Sequence, residues 1–285
     1  SYNCPSCGAQ LICDLTTAAT SFPYCGNPTI VPGQFGGTKR PNYVIPFKLS
    51  REDAIAALKK HYGKKPLLPG VFSKENHINE IKGIYVPFWL FDCDTGGTTN
   101  YHATKTRSWR EGDYIVTETE HYKIVRSGDA TFVMIPVDGS TKMPDAHMDA
   151  IEPYNYDEMK EFSVAYLPGF LADKYDVESE SCEPHAFERA LNTTSDEFKK
   201  SIYGYTSVVE SSSTVDITSH DVKYGLFPVW MLYTKWRDKD FLFAMNGQTG
   251  KLIGDLPISK GRLAAWLMGL WAAFSAIAVA IRFLI

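Results

Sequence analysis

The sequence has few cysteines and little net charge, and each scarcity excludes a class of protein. Its 285 residues include only six cysteines, four of them within the first 25 positions, which is too few and too uneven for a disulfide scaffold. A net charge of −4 argues against a general nucleic-acid coat protein. With 44% apolar and 22% charged residues, the composition is that of an ordinary globular protein and excludes a disordered, collagen-like or coiled-coil chain.

The motifs of common catalytic sites are missing as well. The segment GQFGGTKR at 33–40 lacks the GxxxxGK[ST] spacing of a phosphate-binding loop, no GxSxG elbow occurs, and the histidines show neither HxxxH nor HExxH pairing. Asp92 and Asp94 flank Cys93 in a pattern that some sugar transferases use for a divalent metal, but the nucleotide-binding sheet of those enzymes is absent. Cys93 and Cys182 carry no sign of activation. We therefore predict that the protein is not an enzyme.

Charge is distributed unevenly along the chain. Residues 1–66 hold eight basic and three acidic side chains, whereas residues 145–198 hold three basic and fourteen acidic ones. The acidic stretch has two interpretations, a solvated surface or a docking face for a basic partner. The basic first part is the region that a nucleic-acid-binding role would use.

Four cysteines near the N terminus are candidate ligands of a structural zinc ion. Cys4 and Cys7 belong to one CxxC knuckle, and Cys25 ends a second knuckle in which Phe22 stands where a cysteine is expected. Paired knuckles of this kind hold Zn²⁺ tetrahedrally in a zinc ribbon. Three interpretations are open: Cys13 completes the site, three thiolates bind the metal weakly, or the ribbon has lost its metal.

The C-terminal segment is long and apolar. Residues 263–281, LAAWLMGLWAAFSAIAVAI, contain no charge, and at about 1.5 Å per residue a helix of this length spans about 30 Å of hydrocarbon. A buried core helix is the alternative, but such helices usually have a polar stripe. Lys251, Lys260 and Arg262 precede the segment and Arg282 alone follows it, which predicts a cytoplasmic main body. We therefore expect a tail-anchored, single-pass protein of the cell membrane.

The middle of the chain contains an internal duplication. Residues 81–91, IKGIYVPFWLF, and 222–232, VKYGLFPVWML, match at an offset of 141 residues, with Pro87 aligned to Pro228 and Trp89 to Trp230. A proline inside each buried-looking strand predicts an edge position or a bulge. Each run follows a predicted helix and precedes predicted strands.

Helix signals precede both repeats. Ser50 begins a capping-box pattern, after which Ile55, Leu58 and Tyr62 fall on one helical face. In the second repeat, Pro184 is predicted to lie in the first turn of a helix whose apolar face comprises Phe187, Leu191, Phe198 and Ile202.

These patterns predict an α+β fold. It comprises a zinc-ribbon-like segment at 1–32, a first α+β unit at 41–144, a second at 145–258 and one C-terminal transmembrane helix at 263–281. The two middle units are expected to be related halves, each a helix followed by an antiparallel sheet.

Four stretches carry a resemblance to a known family: YNCPSCGAQLICDLTTAATSFPYCGNPTIVPG, IKGIYVPFWLFDCD, AYLPGFLADKYDV and FAMNGQTGKLIGDLP. With the C-terminal apolar helix, they resemble bacterial TFIIB-type zinc-ribbon membrane proteins, which are loosely labelled replication-restart helicases. The resemblance implies zinc bound by a C-P-Y-C knuckle, from which Phe22 departs. It also implies partners of the flotillin-like or phage-shock-type classes, which respond to membrane stress. The helicase label is not supported, since the chain lacks a phosphate loop.

Three functions are consistent with the sequence. The favoured one is a membrane-anchored cytosolic adaptor or scaffold that binds protein partners. The sequence has a predicted anchor and a duplicated body, and it lacks the motifs of common catalytic sites. The second is nucleic-acid binding through the zinc ribbon and the basic first 66 residues, which the acidic body opposes. The third is an enzyme with an unrecognised site, which a deep pocket lined by carboxylates or histidines would favour. No small-molecule partner is predicted.

Overall fold

Strands dominate the residues that the computed structural model describes, which are 2–3, 10–11, 17–21, 28–30, 39–63, 65–73, 78 and 80–284. The strands are β1 Tyr2–Asn3, β2 Gln10–Leu11, β3 Thr17–Ser21, β4 Pro28–Ile30, β5 Tyr43–Val44, β6 Lys82–Glu111, β7 Tyr114–Asp138, β8 Lys160–Glu161, β9 Leu171–Asp173, β10 Ser207–Ser213, β11 Asp216–Trp236, β12 Lys239–Asn246 and β13 Leu252–Gly254. The helices are α1 Arg51–Gly63, α2 Asp145–Ala150, α3 Ser179–Lys200 and α4 Lys260–Leu284.

One mixed sheet joins strands from most of the described chain. Its main path runs β13-β12-β11-β6-β9-β3-β4, while β5 joins β11 to β8 and both β7 and β10 lie beside β6. β6 is central because it pairs with β11 over 82–96, with β10 over 99–104 and with β7 over 88–111. Its segment VPFWLF at 86–91 is buried on both faces, which explains why the sequence is continuously apolar there.

An approximate twofold axis relates two parts of this sheet. β6 and β11 run antiparallel, and Val86 lies opposite Phe227, the residue 141 positions later. β9 pairs in parallel with residues 84–85 of β6, and β5 pairs in parallel with residues 225–226 of β11, again 141 positions later. The repeated sequence therefore corresponds to a repeated pattern of strand pairing.

The two longer helices obey the same relation. α1 starts seven residues after Val44, and α3 starts seven residues after Ala172, which is the equivalent strand position. Both bury every fourth residue from the fourth position onwards: Ala54, Leu58 and Tyr62 in α1, and Cys182, Ala186 and Ala190 in α3. Each helix packs on the strand of the other half, since α1 shares a cluster with Trp230 and α3 shares one with Trp89.

The two tryptophans also hold the chain in front of the helices. Trp89 Nε1 donates a hydrogen bond of 2.9 Å to the carbonyl of Val177, two residues before α3. Trp230 Nε1 donates one of 3.2 Å to the carbonyl of Leu49, two residues before α1. Because each indole comes from the opposite half, these bonds connect the two halves in addition to the strand pairing.

Pro87 and Pro228 lie inside central strands. The prediction that they occupy an edge position or a bulge is therefore wrong. The carbonyl of Pro87 accepts from the Gly139 amide (2.9 Å), and that of Pro228 accepts from the Gly247 amide (2.8 Å). A strand residue directs its nitrogen and its carbonyl to the same side. Each proline nitrogen therefore faces a junction between two partner strands, β9 and β7 beside Pro87 and β5 and β12 beside Pro228, where the ladder needs no donor.

The predicted fold class is wrong. The halves are not separate helix-plus-sheet units, since β6 and β11 share a ladder and belong to one large mixed sheet. Pairing β6 with β11 satisfies the backbone groups of both strands and lets both faces of 86–91 be buried by elements of either half. No zinc ribbon is evident within the described residues.

The predicted transmembrane helix and the single-pass membrane location are also wrong. Within the described part of the chain, no helix combines the length and the apolar character that crossing a bilayer requires. α4 spans Lys260–Leu284, with Lys260 and Arg262 in its first turn.

Candidate functional site

The hairpin formed by β6 and β7 extends beyond the rest of the sheet. The ladder between β10 and β6 ends at Ser207 and Thr104, so residues 105–111 pair only with residues 114–120. We call residues 105–120 the ribbon. Its seven residue pairs, at about 3.3 Å per residue, make a projection of about 23 Å.

Local sequence explains why the ribbon forms. Gly112 and Asp113 make a two-residue loop, and Gly112 has the positive φ of 61° that the first position of a type II′ hairpin turn requires. Opposite side chains then bond across the two strands: Arg107 with Glu118, Thr106 with Thr119 (3.2 Å) and Ser108 with Thr117 (2.8 Å). One face of the ribbon is therefore rich in hydroxyl groups, and the other carries the ion pair.

Both long edges of the ribbon lack a neighbouring strand among the described residues. The Thr106 amide points outwards, since it donates to Thr206 Oγ1 at 2.9 Å. The backbone N–H and C=O groups of successive strand residues point to alternate sides. Those of Ser108 and Arg110 therefore lie at the open edge of β6, and those of Ile115 lie at the open edge of β7. An unpaired edge of this kind is a template for another strand.

Apolar side chains cluster near the exposed end of the ribbon. Ile115 is 79% exposed, Tyr114 is 78% exposed and Trp109 is 43% exposed. The guanidinium of Arg107 lies 5.5 Å from the ring centre of Trp109. Large side chains that combine apolar and polar atoms are enriched where proteins bind one another.

The charges on and beside the ribbon are balanced. Residues 105–123 contain four cations and four anions: Lys105, Arg107, Arg110 and Lys123 against Glu111, Asp113, Glu118 and Glu120. A surface that tracks a phosphate backbone is instead strongly positive. The alternation of signs fits a protein surface better than a polyanion.

Two histidines that are distant in sequence meet at the base of the ribbon. His102 Nε2 lies 3.0 Å from His121 Nδ1, and the rings stack with their centres 5.2 Å apart. Sequence patterns within one strand do not show this pair, because the hairpin turn brings the two residues together. Beside them, Tyr122 donates a hydrogen bond of 2.7 Å to Glu120, which raises the pKa of Tyr122.

The predicted zinc ligands Cys4, Cys7, Cys13 and Cys25 lie outside the described residues, so the zinc prediction stays a prediction. Among the residues with described positions, no three His, Cys, Asp or Glu side chains converge as a metal site.

The two other cysteines are buried in the protein. Burial raises the pKa of the Cys93 thiol, and it raises that of Cys182 to about 12. Both thiols therefore stay protonated at neutral pH, which makes them poor nucleophiles.

Asp92 and Asp94 have structural contacts instead of a shared metal. Asp92 Oδ1 accepts from the Met134 amide at 2.8 Å, at the bulge where β7 has one more residue than β6, and Asp92 Oδ2 pairs with Lys223. Asp94 accepts from the hydroxyls of Thr131 (2.7 Å) and Ser219 (2.6 Å), and these bonds lower the pKa of Asp94. Each carboxylate thus joins β6 to both of its neighbours.

Part of the acidic stretch is neutralised within the fold. Arg189 makes hydrogen bonds of 3.1 and 2.7 Å to the two carboxylate oxygens of Glu152 and lies 3.7 Å from Asp149. Burial nevertheless raises the pKa of Glu152, because desolvation outweighs the attraction of Arg189. Glu152 and Asp149 therefore make contacts within the fold.

Comparison with known proteins gives one extensive match. The chain is 39% identical to the Bacillus subtilis (strain 168) protein named "Uncharacterized protein YdjG", over an alignment of 319 residues that covers 95% of this chain and 94% of the relative. No protein-family model matches. No solved structure matches either.

These comparisons correct the predicted resemblance. A member of the TFIIB-type zinc-ribbon family would match a model of such a family, and none matches here. The resemblance was based on four short stretches and the C-terminal apolar segment, which are weaker indicators than similarity along the whole sequence. Because that similarity extends over nearly all of both proteins, the chain belongs to the family of Bacillus subtilis YdjG.

Proposed function

We propose that this protein is an adaptor that binds a protein partner by strand addition at the ribbon. The observation that carries the proposal is the pair of open edges along residues 105–120, which offer unsatisfied backbone groups to an extended segment of a partner. Main-chain hydrogen bonds would supply affinity, and side chains that alternate along the strand would supply specificity.

The exposed apolar groups support the same function. Tyr114 and Ile115 lie on opposite faces of the ribbon next to the turn, so a partner that covers the tip would bury one on each side. Burial of apolar area contributes about 25 cal/mol per Å². Natural edge strands are usually shortened or covered, and this hairpin leaves seven pairs uncovered within the described chain.

The proposal is tested by photocrosslinking in cells that make the full chain. A benzoyl-phenylalanine residue at Ile115, which is 79% exposed, is compared with one at Tyr203, which is 87% exposed and lies outside the ribbon. We expect discrete crosslinked protein species from position 115 and none of these from position 203. Identical crosslinks from both positions would show nonspecific contact and contradict the proposal.

A second experiment tests a variant with a shortened ribbon. Deleting residues 107–110 and 115–118 removes four residues from each strand, which preserves the register and the Gly112–Asp113 turn. The partner captured at position 115 is then purified, and its affinity for the two forms is measured. We expect binding to fall at least tenfold while the unfolding midpoint of the body is unchanged; unchanged binding would refute strand addition at this hairpin.

A further inference from the structure

A cleft opens where β6, β9, β11 and the start of α1 meet. It consists of two adjoining concavities of about 680 and 620 Å³, whose linings share Arg51, Ile81, Lys82 and Leu171. Each volume lies within the range of roughly 300–1,000 Å³ that is typical of small-molecule sites.

The twofold relation shows how the lining of the cleft differs from the equivalent place in the other half. Gly83 lines the cleft, and the equivalent residue 141 positions later is Tyr224. Tyr224 is fully buried, with its ring centre 5.2 Å from that of Trp89 and 5.3 Å from that of Tyr175. At Gly83 an added Cβ would lie 2.7 Å from the ring of Phe170. In one half the position is therefore filled by its own tyrosine, whereas in the other the rings of Phe170 and Trp230 approach the backbone of Gly83.

The walls of the cleft combine aromatic, aliphatic and cationic groups. Trp230 and Phe170 line the larger concavity, and the ring of Phe170 is stacked on Phe47 with centres 4.0 Å apart. Arg51 and Lys82 border both concavities, while Glu80 borders only the smaller one. The shared wall thus places two cations beside an apolar floor.

The amides at the start of α1 are partly occupied already. Ser50 Oγ accepts from the Asp53 amide at 3.1 Å, and Asp53 Oδ2 accepts from the Ser50 amide at 2.9 Å. Recognition of an anion at this end of the cleft therefore depends on the side chains of Arg51 and Lys82 and not on the helix terminus.

From this geometry we infer that the cleft binds a small organic acid with an apolar body. The carboxylate lies at the shared wall beside Arg51 and Lys82, and the apolar body extends over Trp230, Phe170 and Leu171. An uncharged molecule of the same shape loses the charge-assisted contacts and binds more weakly.

A matched pair of probes tests the inference on the full chain. cis-Parinaric acid and its methyl ester have the same apolar chain and differ in the carboxylate, and both become fluorescent when bound. We expect the acid to bind about tenfold more tightly than the ester. The double variant Arg51→Gln/Lys82→Gln should lose that preference and keep its affinity for the ester. The control Lys105→Gln/Lys123→Gln removes two exposed cations on and beside the ribbon and should keep the preference for the acid.

A third variant locates the bound probe. Thr20 lines the larger concavity, where the apolar body lies, and is partly buried, so Thr20→Trp should fill that space and weaken both probes at least tenfold while circular dichroism stays unchanged. Equal affinity of acid and ester for the unaltered chain would overturn the inference. So would a retained preference in the Arg51→Gln/Lys82→Gln variant.

Discussion

The two halves related by the approximate twofold axis differ most around their tryptophans. Trp89 is enclosed by Tyr224 and Tyr175, whereas Trp230 borders a cleft next to Gly83. The backbone pairing, the helix positions and the indole hydrogen bonds are nevertheless alike in both halves. The duplicated backbone therefore fixes the frame, while single side chains decide how each tryptophan is surrounded.

A second difference concerns one polar position in each half. Asp138 lies opposite Phe88, and Asn246 lies opposite Val229, which is 141 residues after Phe88. The Asn246 amide group donates to the Ile151 carbonyl at 3.0 Å. Asp138 is buried, and its Oδ2 atom has no hydrogen-bond partner among the described residues. Desolvation, followed by repulsion from Asp145, raises the pKa of Asp138 to about 7.

The largest expected effect on stability comes from removing the buried ring of Tyr224. Tyr224→Ala should lower the free energy of unfolding by about 4 kcal/mol, because a fully buried aromatic ring leaves a cavity. Phe170→Ala, which removes a partly buried ring beside the cleft, should cost about 2 kcal/mol. Urea unfolding of both variants measures the difference. Equal losses would show that the two tryptophan environments are energetically the same.

The next prediction concerns Asp138→Asn, which gives this position the same residue type as Asn246 in the other half. The unfolded chain ionises Asp138 near pH 4 and the folded chain near pH 7, so the contribution of Asp138 to stability falls as pH rises between these values. Asp138→Asn should remove this loss and stabilise the protein by up to about 4 kcal/mol at pH 8, and by much less at pH 5. Denaturant unfolding at the two pH values measures it.

The reciprocal variant is the control for that experiment. Asn246→Asp removes the amide donor and directs a carboxylate oxygen at the Ile151 carbonyl, so it should destabilise the protein at pH 8. A stability difference between wild type and Asp138→Asn that does not change with pH would contradict the raised pKa.

The smallest expected effect concerns the indole hydrogen bonds, which both halves have. Trp89→Phe and Trp230→Phe each remove one indole donor and leave the carbonyl of Val177 or Leu49 without it, which should cost about 1 kcal/mol in each case. Thermal or urea unfolding of the single variants should give similar losses. A large cost for one tryptophan only would mean that the two bonds do not have equivalent roles.

The sequence predicted local features better than pairing. The capping box is confirmed, since Ser50 and Asp53 bond to each other at the start of α1, and Leu58 and Tyr62 lie on its buried face as predicted. The start of α3 was less predictable: the helix begins at Ser179, so Pro184 is not in the first turn. Proline is compatible with the first turn but does not require it, so the signal was ambiguous.

The sequence predicted a strand at Tyr114 to Thr119, which is part of β7, but the pairing in the ribbon and the sheet order could not be predicted. Residues 95–111 contain many threonines and charges and no apolar alternation that would mark a strand, yet they continue β6. Their strand conformation depends on pairing with β7 and β10, whose residues are brought close only by the fold.

By itself, the sequence determined the duplication at an offset of 141, the aligned prolines and tryptophans, and the helix that begins after Ser50. Each of these follows from residue types within a few positions of one another. Only the tertiary structure decided that β6 and β11 pair, that each helix packs on the other half, and that Tyr224 is buried beside Trp89 while Phe170 approaches the backbone of Gly83. These contacts join residues far apart in the chain, and burial of both sheet faces at once selects them.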